Sequence, residues 1–223
     1  MLQAMVVAAV LVAVAELGDK TQMLTLVLAS RYPARQVFIG VLLAVIGLQL
    51  LAVTAGTVVG DLLPERLLAW VTAVLFIGFG IWSLRDASAG VVEEDEAVAP
   101  RTGWGPVVAV ATAFFLAELG DKTQVLTLAI AADPGAAARI LSPFGLEFTA
   151  PSGGIGVFLG VWVGSVIGMM LVNGLAIWAG SAIGKRLPRR VVARVSGALF
   201  ILFGLLALGA SYWADDRVGT IGL

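Results

Sequence analysis

Six stretches of this chain run for 18 residues or more with little charge: Leu2–Ala29, Val37–Gly60, Leu67–Leu84, Trp104–Ala131, Gly154–Gly184 and Val195–Trp213. A bilayer core takes about 20 helical residues to cross. Within it, a backbone must satisfy its own N–H and C=O groups. None of the runs alternates with the period of a membrane barrel strand. The expected fold is therefore an all-α membrane protein with six transmembrane helices. Composition agrees. Only 13% of the residues are charged and 60% are hydrophobic, against about 25% charged in a typical soluble domain, so too little polar surface exists to cover a water-soluble globule. Met1–Ala15 resembles a signal-peptide core, but no basic segment precedes it and the apolar run resumes beyond a charged motif. It is expected to stay as a membrane span.

The two halves of the chain repeat one another. Ala15–Gln22 reads Ala-Glu-Leu-Gly-Asp-Lys-Thr-Gln, and Ala117–Gln124 is identical. Phe38-Ile39-Gly40 matches Phe158-Leu159-Gly160; Gly56, Gly60 and Pro64 match Gly180, Gly184 and Pro188; Phe76 and Gly80 match Phe200 and Gly204. The repeat thus takes in three helices per half. Three is odd, so the second half must enter the membrane from the opposite side. The expected organisation is two inverted three-helix repeats, residues 1–84 and 104–223, joined by a linker at 85–103 that carries Glu93-Glu94-Asp95-Glu96. With both termini outside, the cytoplasmic segments hold Arg31, Arg35, Arg85, Arg101, Lys185, Arg186, Arg189, Arg190 and Arg194, and the external ones only Arg66, Arg139 and Arg217. The positive-inside rule favours that orientation. The Pro/Gly-rich stretch Asp133–Gly153 reads as a re-entrant or surface-lying loop. Inverted repeats with charge inside the membrane are the plan of many secondary transporters, whose sites sit at the repeat interface.

The duplicated motif carries the only ionisable groups well inside these spans. Each costs at least about 2.5–3.5 kcal/mol to insert, and packing alone gives no reason to retain six of them. On a continuous helix Glu16, Asp19 and Lys20 share one face, as do Glu118, Asp121 and Lys122. Across the pseudo-axis of inverted repeats, four carboxylates and two ammonium groups would converge, a net charge that a divalent cation or protons would balance. A purely structural reading pairs Glu16 with Lys20 and Glu118 with Lys122, but it leaves Asp19 and Asp121 without an obvious partner. The chain has no His and no Cys. Thiolate and imidazole metal sites are thereby excluded, and an all-oxygen site for Mg²⁺, Ca²⁺ or Mn²⁺ is expected, with Glu16, Asp19, Glu118 and Asp121 as ligands. Burial and crowding by like charge favour the protonated carboxyl, which makes the same groups the proton carriers. Metal/proton antiport follows as the economical hypothesis.

Around the acids, Lys20, Thr21, Gln22, Lys122, Thr123 and Gln124 are expected in supporting roles. On a straight helix Thr21 and Gln22 point away from the acidic face. Gly18 and Gly120 either allow a local distortion that re-aims them or serve close packing. The lysines are suited to tether the carboxylates and yield when a cation arrives. Gln49 and Asn173, mid-span amides at roughly corresponding places, line the path or bond across helices. Gly56/Gly60 and Gly180/Gly184 have the small-xxx-small spacing of helix packing.

Glu-Leu-Gly-Asp-Lys-Thr at Glu16–Thr21 and Glu118–Thr123 resembles the paired Glu-x-Gly-Asp-Lys-Ser/Thr signature of a cation/proton exchanger family, the second calcium–cation antiporter family. It includes bacterial manganese exporters, the Golgi manganese/calcium transporter and plastid relatives. The resemblance extends over nearly the whole chain. It implies exchange of Mn²⁺ and/or Ca²⁺ for H⁺, with the family's acidic positions falling on Glu16, Asp19, Glu118 and Asp121 and its Lys and Thr positions on Lys20, Thr21, Lys122 and Thr123. The single-chain, two-motif form resembles bacterial members, which implies a bacterial inner membrane and export of Mn²⁺ from the cytosol. The partners expected are the lipid bilayer, the divalent cation and protons, with no cofactor and, at a net charge of −1, no nucleic acid. The alternative is an exporter of amino acids or other small organic cations on a related six-helix plan, against which the doubled Glu/Asp pair counts. An enzyme is not expected, since no His, no Cys and no serine beside a recognisable base is present.

Overall fold

The computed structural model describes residues 1–17, 19–64, 105–141 and 154–183, together with single positions between 67 and 85 and between 194 and 206. Among the described residues there is no strand. Seven helices are delimited: α1 (Leu2–Glu16), α2 (Lys20–Arg31), α3 (Ala34–Leu62), α4 (Gly105–Glu118), α5 (Lys122–Ala132), α6 (Pro134–Leu141) and α7 (Ile155–Ile183). The described positions between 67 and 85 and between 194 and 206 are helical as well.

Helices α3 and α7 are the long elements, 29 residues each, or about 43 Å at 1.5 Å per residue. Both are long and apolar enough to cross a bilayer. Pro33 separates α2 from α3, because a proline cannot continue a helix and biases the residue before it away from helical geometry. The windows Leu2–Ala29 and Trp104–Ala131, expected as continuous spans, are each two helices. α1 stops at Glu16 and α2 starts at Lys20; α4 stops at Glu118 and α5 starts at Lys122. Both interruptions fall inside the repeated octapeptide.

Packing crosses between the halves. The first broken helix, α1 with α2, lies along α7; the second, α4 with α5, lies along α3. Glycines allow the close approach. A Cβ at Gly164 of α7 would run into the carbonyl oxygen of Met5, and one at Gly168 into that of Ala9. On α3, a Cβ at Gly40 would come to 2.7 Å from the carbonyl oxygen of Val107, one at Gly56 would meet that of Leu128, and one at Gly60 would sit 2.5 Å from that of Ala132. The packing role expected of Gly56 and Gly60 is therefore observed; Gly184 lies outside the described residues. The core between these elements is filled by Leu11, Leu48, Phe114, Leu126, Ile130 and Met169. Leu43, Leu51, Leu171, Leu175 and Trp178 point outward from α3 and α7, an apolar exterior of the kind that faces lipid.

The stretch after Asp133 departs from the expected surface or re-entrant loop. Its first part is α6, whose Ala136–Ala138, Ile140 and Leu141 are buried. Asp133 begins it by accepting a 2.8 Å bond from the Ala136 amide, and residues 142–153 lie outside the described part. So do residues 86–103, which hold nearly all of the expected linker.

Candidate cation site

The backbone is broken in the same way at both motifs. The Asp19 amide donates to the Glu16 carbonyl (3.2 Å) and the Gln22 amide to the Asp19 carbonyl (3.2 Å); Asp121 to Glu118 and Gln124 to Asp121 repeat the pattern at 3.0 Å each. The cause is local. Gly120 takes a φ of +82°, the left-handed conformation in which helices end and which suits glycine. Asp121 then caps α5, its side chain accepting from the Thr123 amide, as helix-starting aspartates do. Gln124 Oε1 closes the turn by accepting from the Gly120 amide at 2.9 Å. A carboxylate at that position also meets the positive end of the helix dipole. Of the two roles open for the motif glycine, Gly120 serves backbone distortion. Nothing lies within 4 Å of where its Cβ would be, so close packing does not explain it; Gly18 lies outside the described residues.

The break aims the side chains differently from a straight helix. Glu16 is fully buried and receives three donors: Thr21 Oγ1 at 2.9 Å and Asn173 Nδ2 at 2.9 Å on Oε1, and Thr123 Oγ1 at 3.0 Å on Oε2. Thr21 was expected to point away from the acidic face. It does not, because the helix is interrupted between Glu16 and Lys20. Asp19, for which the helical reading offered no partner, pairs with Lys122 of the other motif copy, Nζ to Oδ2, at 3.0 Å. The pairing expected for Glu118 with Lys122 gives way to the Lys122–Asp19 pair, since Lys122 lies beyond the break from its own glutamate. The side chain of Lys20 is outside the described residues.

Among the described residues, Thr123 to Glu16 and Lys122 to Asp19 join the two copies directly, and Thr21 with Glu118 and Asp19 with Asp121 meet across the same seam. Asp121 stands beside Asp19 and Lys122, and Glu118 has Glu16, Asp19 and Asp121 as charged neighbours. Glu118 is fully buried; the Thr21 hydroxyl is the donor beside it, and among the described residues its oxygens make no hydrogen bond of ordinary length. Among the described residues, no three carboxylates are gathered closely enough to hold one metal ion in the state seen here; the Lys122 ammonium is lodged against Asp19 instead.

Both amides singled out in the sequence are completely buried. Asn173 of α7 reaches Glu16 and also donates to the Met169 carbonyl at 3.1 Å. Gln49 of α3 donates to Met169 Sδ at 3.3 Å. The motif analysis stopped too early to include Thr25 and Thr127. Both are fully buried, and Thr25 Oγ1 lies 2.9 Å from the Gln22 carbonyl and 3.4 Å from Asn173 Oδ1. The signal was present: Leu-Thr-Leu follows each octapeptide after one unlike residue, Met23 or Val125.

A family model described as the divalent cation/proton antiporter GDT1 matches residues 4–91 and 156–215. The chain belongs to this family. The GDT1 match takes in the first motif copy and most of α7; the second copy falls between the matched stretches. A Vibrio cholerae protein named as a candidate manganese exporter is 33% identical over 87% of this chain and 84% of its own length. A GDT1-like protein of Synechocystis is 30% identical over 96% and 98% of the two chains. GDT1-like protein 4 of Arabidopsis thaliana is 29% identical over 86% and 89%. No solved structure matches. The resemblance drawn from the paired motif is borne out. As a GDT1 antiporter the chain is a membrane transporter of divalent cations and protons, not an enzyme.

Proposed function

We propose that this GDT1 family member exports Mn²⁺ from a bacterial cytosol across the inner membrane in exchange for protons, with Ca²⁺ as a further cargo. Glu16, Asp19, Glu118 and Asp121 bind the ion and carry the protons. The observation that carries this reading is the direct meeting of the two motif copies through Thr123–Glu16 and Lys122–Asp19, which makes one polar cluster from two distant segments. Lys122 acts as a tethered cation that holds the Asp19 carboxylate between cargoes and is displaced by the ion. Hard oxygen donors suit Mn²⁺ and Ca²⁺ alike, and the kinship to a candidate manganese exporter favours Mn²⁺ as the main cargo. Thr21, Gln22, Thr123 and Gln124 support the site with neutral oxygens and turn-closing bonds, Lys20 with charge, and Gln49 and Asn173 line it.

The same reading takes the chain as six spanning helices in two inverted three-helix repeats, residues 1–84 and 104–223, with 85–103 as a cytoplasmic linker and both termini outside. The crossed packing of each broken helix on the other half's long helix supports it. So does the interruption itself, since transporter sites are commonly built where discontinuous helices meet near the midplane.

Reconstitution tests the proposal. In liposomes with an imposed pH gradient, the purified protein should move Mn²⁺ or Ca²⁺ against an opposite flux of protons, and Asp19→Asn or Asp121→Asn should reduce that flux to background. Normal transport by both variants would remove the acids from the site. Flux of an amino acid or organic cation without any divalent ion would replace this reading with the organic-cation alternative.

A further inference from the structure

Packing register brings Gln49 and Asn173 into correspondence. On α7, Gly164 meets Met5, eleven residues before Glu16; on α3, Gly40 meets Val107, eleven residues before Glu118. Gly40 is therefore the spatial counterpart of Gly164, one helical turn away from the Gly160 that sequence matching selects. Nine residues further along each helix stand Gln49 and Asn173. Independent contacts agree with that level: a Cβ at Gly47 would lie 3.8 Å from the Phe115 ring, and one at Gly56 would meet Leu128, so Gln49 falls beside the break between α4 and α5.

The two amides nevertheless do different things. Asn173 donates to Glu16 at 2.9 Å. Gln49 spends its donor on a thioether, a weak acceptor, at 3.3 Å, and its Oε1 has no hydrogen-bond partner. The glutamate at its level, Glu118, makes no hydrogen bond of ordinary length and has the Thr21 hydroxyl, not an amide, as its neighbouring donor. A buried amide on a poor acceptor, at the level of a buried carboxyl that receives no amide, leaves a bond between correctly typed groups unmade.

We propose that Gln49 and Asn173 are paired positioning residues, each an amide latch for the glutamate of the opposite half, and that the latches are made alternately. In the state described here Asn173 holds Glu16 and Gln49 is released onto Met169. In the opposite access state Gln49 holds Glu118 and Asn173 lets Glu16 go. Met169 serves both: its sulfur parks Gln49 while its carbonyl receives Asn173. Exchange of latches favours one glutamate pose on each side of the membrane, so each amide acts on ion affinity at one face. The proposal rests on the reading of the two motifs as one cation site.

The test measures the apparent KM for Mn²⁺ separately at each face, in inside-out and right-side-out membrane vesicles, with Glu16→Gln and Glu118→Gln alongside. Asn173→Leu should raise KM about tenfold at one face and Gln49→Leu by a similar factor at the other, the size expected for one hydrogen bond to a charged group. Should a leucine variant not fold, Asn173→Ser and Gln49→Ser replace it and are judged identically, since a serine hydroxyl can bond to its own helix carbonyl. Effects of both variants on the same face, or on neither, would overturn the latches while the glutamate variants lose exchange. If the glutamate variants exchange Mn²⁺ normally, the underlying cation site fails and the latches fail with it.

Discussion

Glu16 and Glu118 occupy the same place in two identical octapeptides and share Asp19 and Thr21 as neighbours, yet their hydrogen bonding differs. Two backbone bonds recur at both breaks, Asp19 to Glu16 with Gln22 to Asp19 and Asp121 to Glu118 with Gln124 to Asp121, and both glutamate side chains are fully buried. Glu16 accepts three hydrogen bonds, two of them from residues more than a hundred positions away, while Glu118 receives no amide and has only the Thr21 hydroxyl beside it as a donor. Eight residues are enough to specify how a helix ends and restarts. They do not specify which donors arrive from elsewhere. An unequal pair is also what a transporter built from a duplicated element should show when caught in one of two states: the repeat supplies two equivalent environments, and one conformation satisfies only one of them.

Substitutions in the two copies should therefore give unequal results. The largest effect is expected at Lys122. Lys122→Met leaves the Asp19 carboxylate without its 3.0 Å partner and should lower stability by about 3–5 kcal/mol, the cost of breaking a buried ion pair from one side. Thermal unfolding in detergent measures it, and adding Asp19→Asn should restore most of the loss. Full additivity of the two substitutions would mean that the pair does not form.

Next comes the glutamate comparison. Glu16→Leu strands the Thr21, Thr123 and Asn173 donors and should cost at least about 2 kcal/mol, since each buried unsatisfied group costs about 1–3 kcal/mol. Glu118→Leu removes two oxygens that make no hydrogen bond of ordinary length among the described residues and should leave the unfolding temperature unchanged or raise it, although both variants lose ion exchange. Equal destabilisation by the two would break the asymmetry. The smallest effect is expected at Gly120. With open space around its Cβ position, Gly120→Ala carries only the conformational penalty of a positive φ, about 1–2 kcal/mol. A larger loss would point to packing there.

Much of the site was legible in the chain. The four acids, the lack of His and Cys, and the doubling of the motif needed only the sequence. The break was partly legible too: Gly followed by Asp is a helix stop and a helix start, and a 28-residue apolar run conceals it because hydropathy does not register caps. Thr25 and Thr127 were within reach, one position past where the identity of the repeat lapses. The correspondence of α3 with α7 was legible at one end only: Gly56 with Gly180 and Gly60 with Gly184 have the same spacing as Gly40 with Gly164. Phe38-Ile39-Gly40 aligns by residue type with Phe158-Leu159-Gly160, but packing makes Gly40 the equivalent of Gly164, since each faces the carbonyl of the residue eleven positions before its motif glutamate.

By itself, the sequence determined the helical class, the apolar runs and the chemistry of the buried cluster, because these depend on residue type and on neighbours a few positions away. Only the tertiary structure decided that Lys122 pairs with Asp19 rather than its own glutamate, that Asn173 has found Glu16, and that Gln49 has not found Glu118. Those outcomes depend on how two broken helices lie along two long ones, where a shift of one helical turn changes every partner and no single segment carries the information.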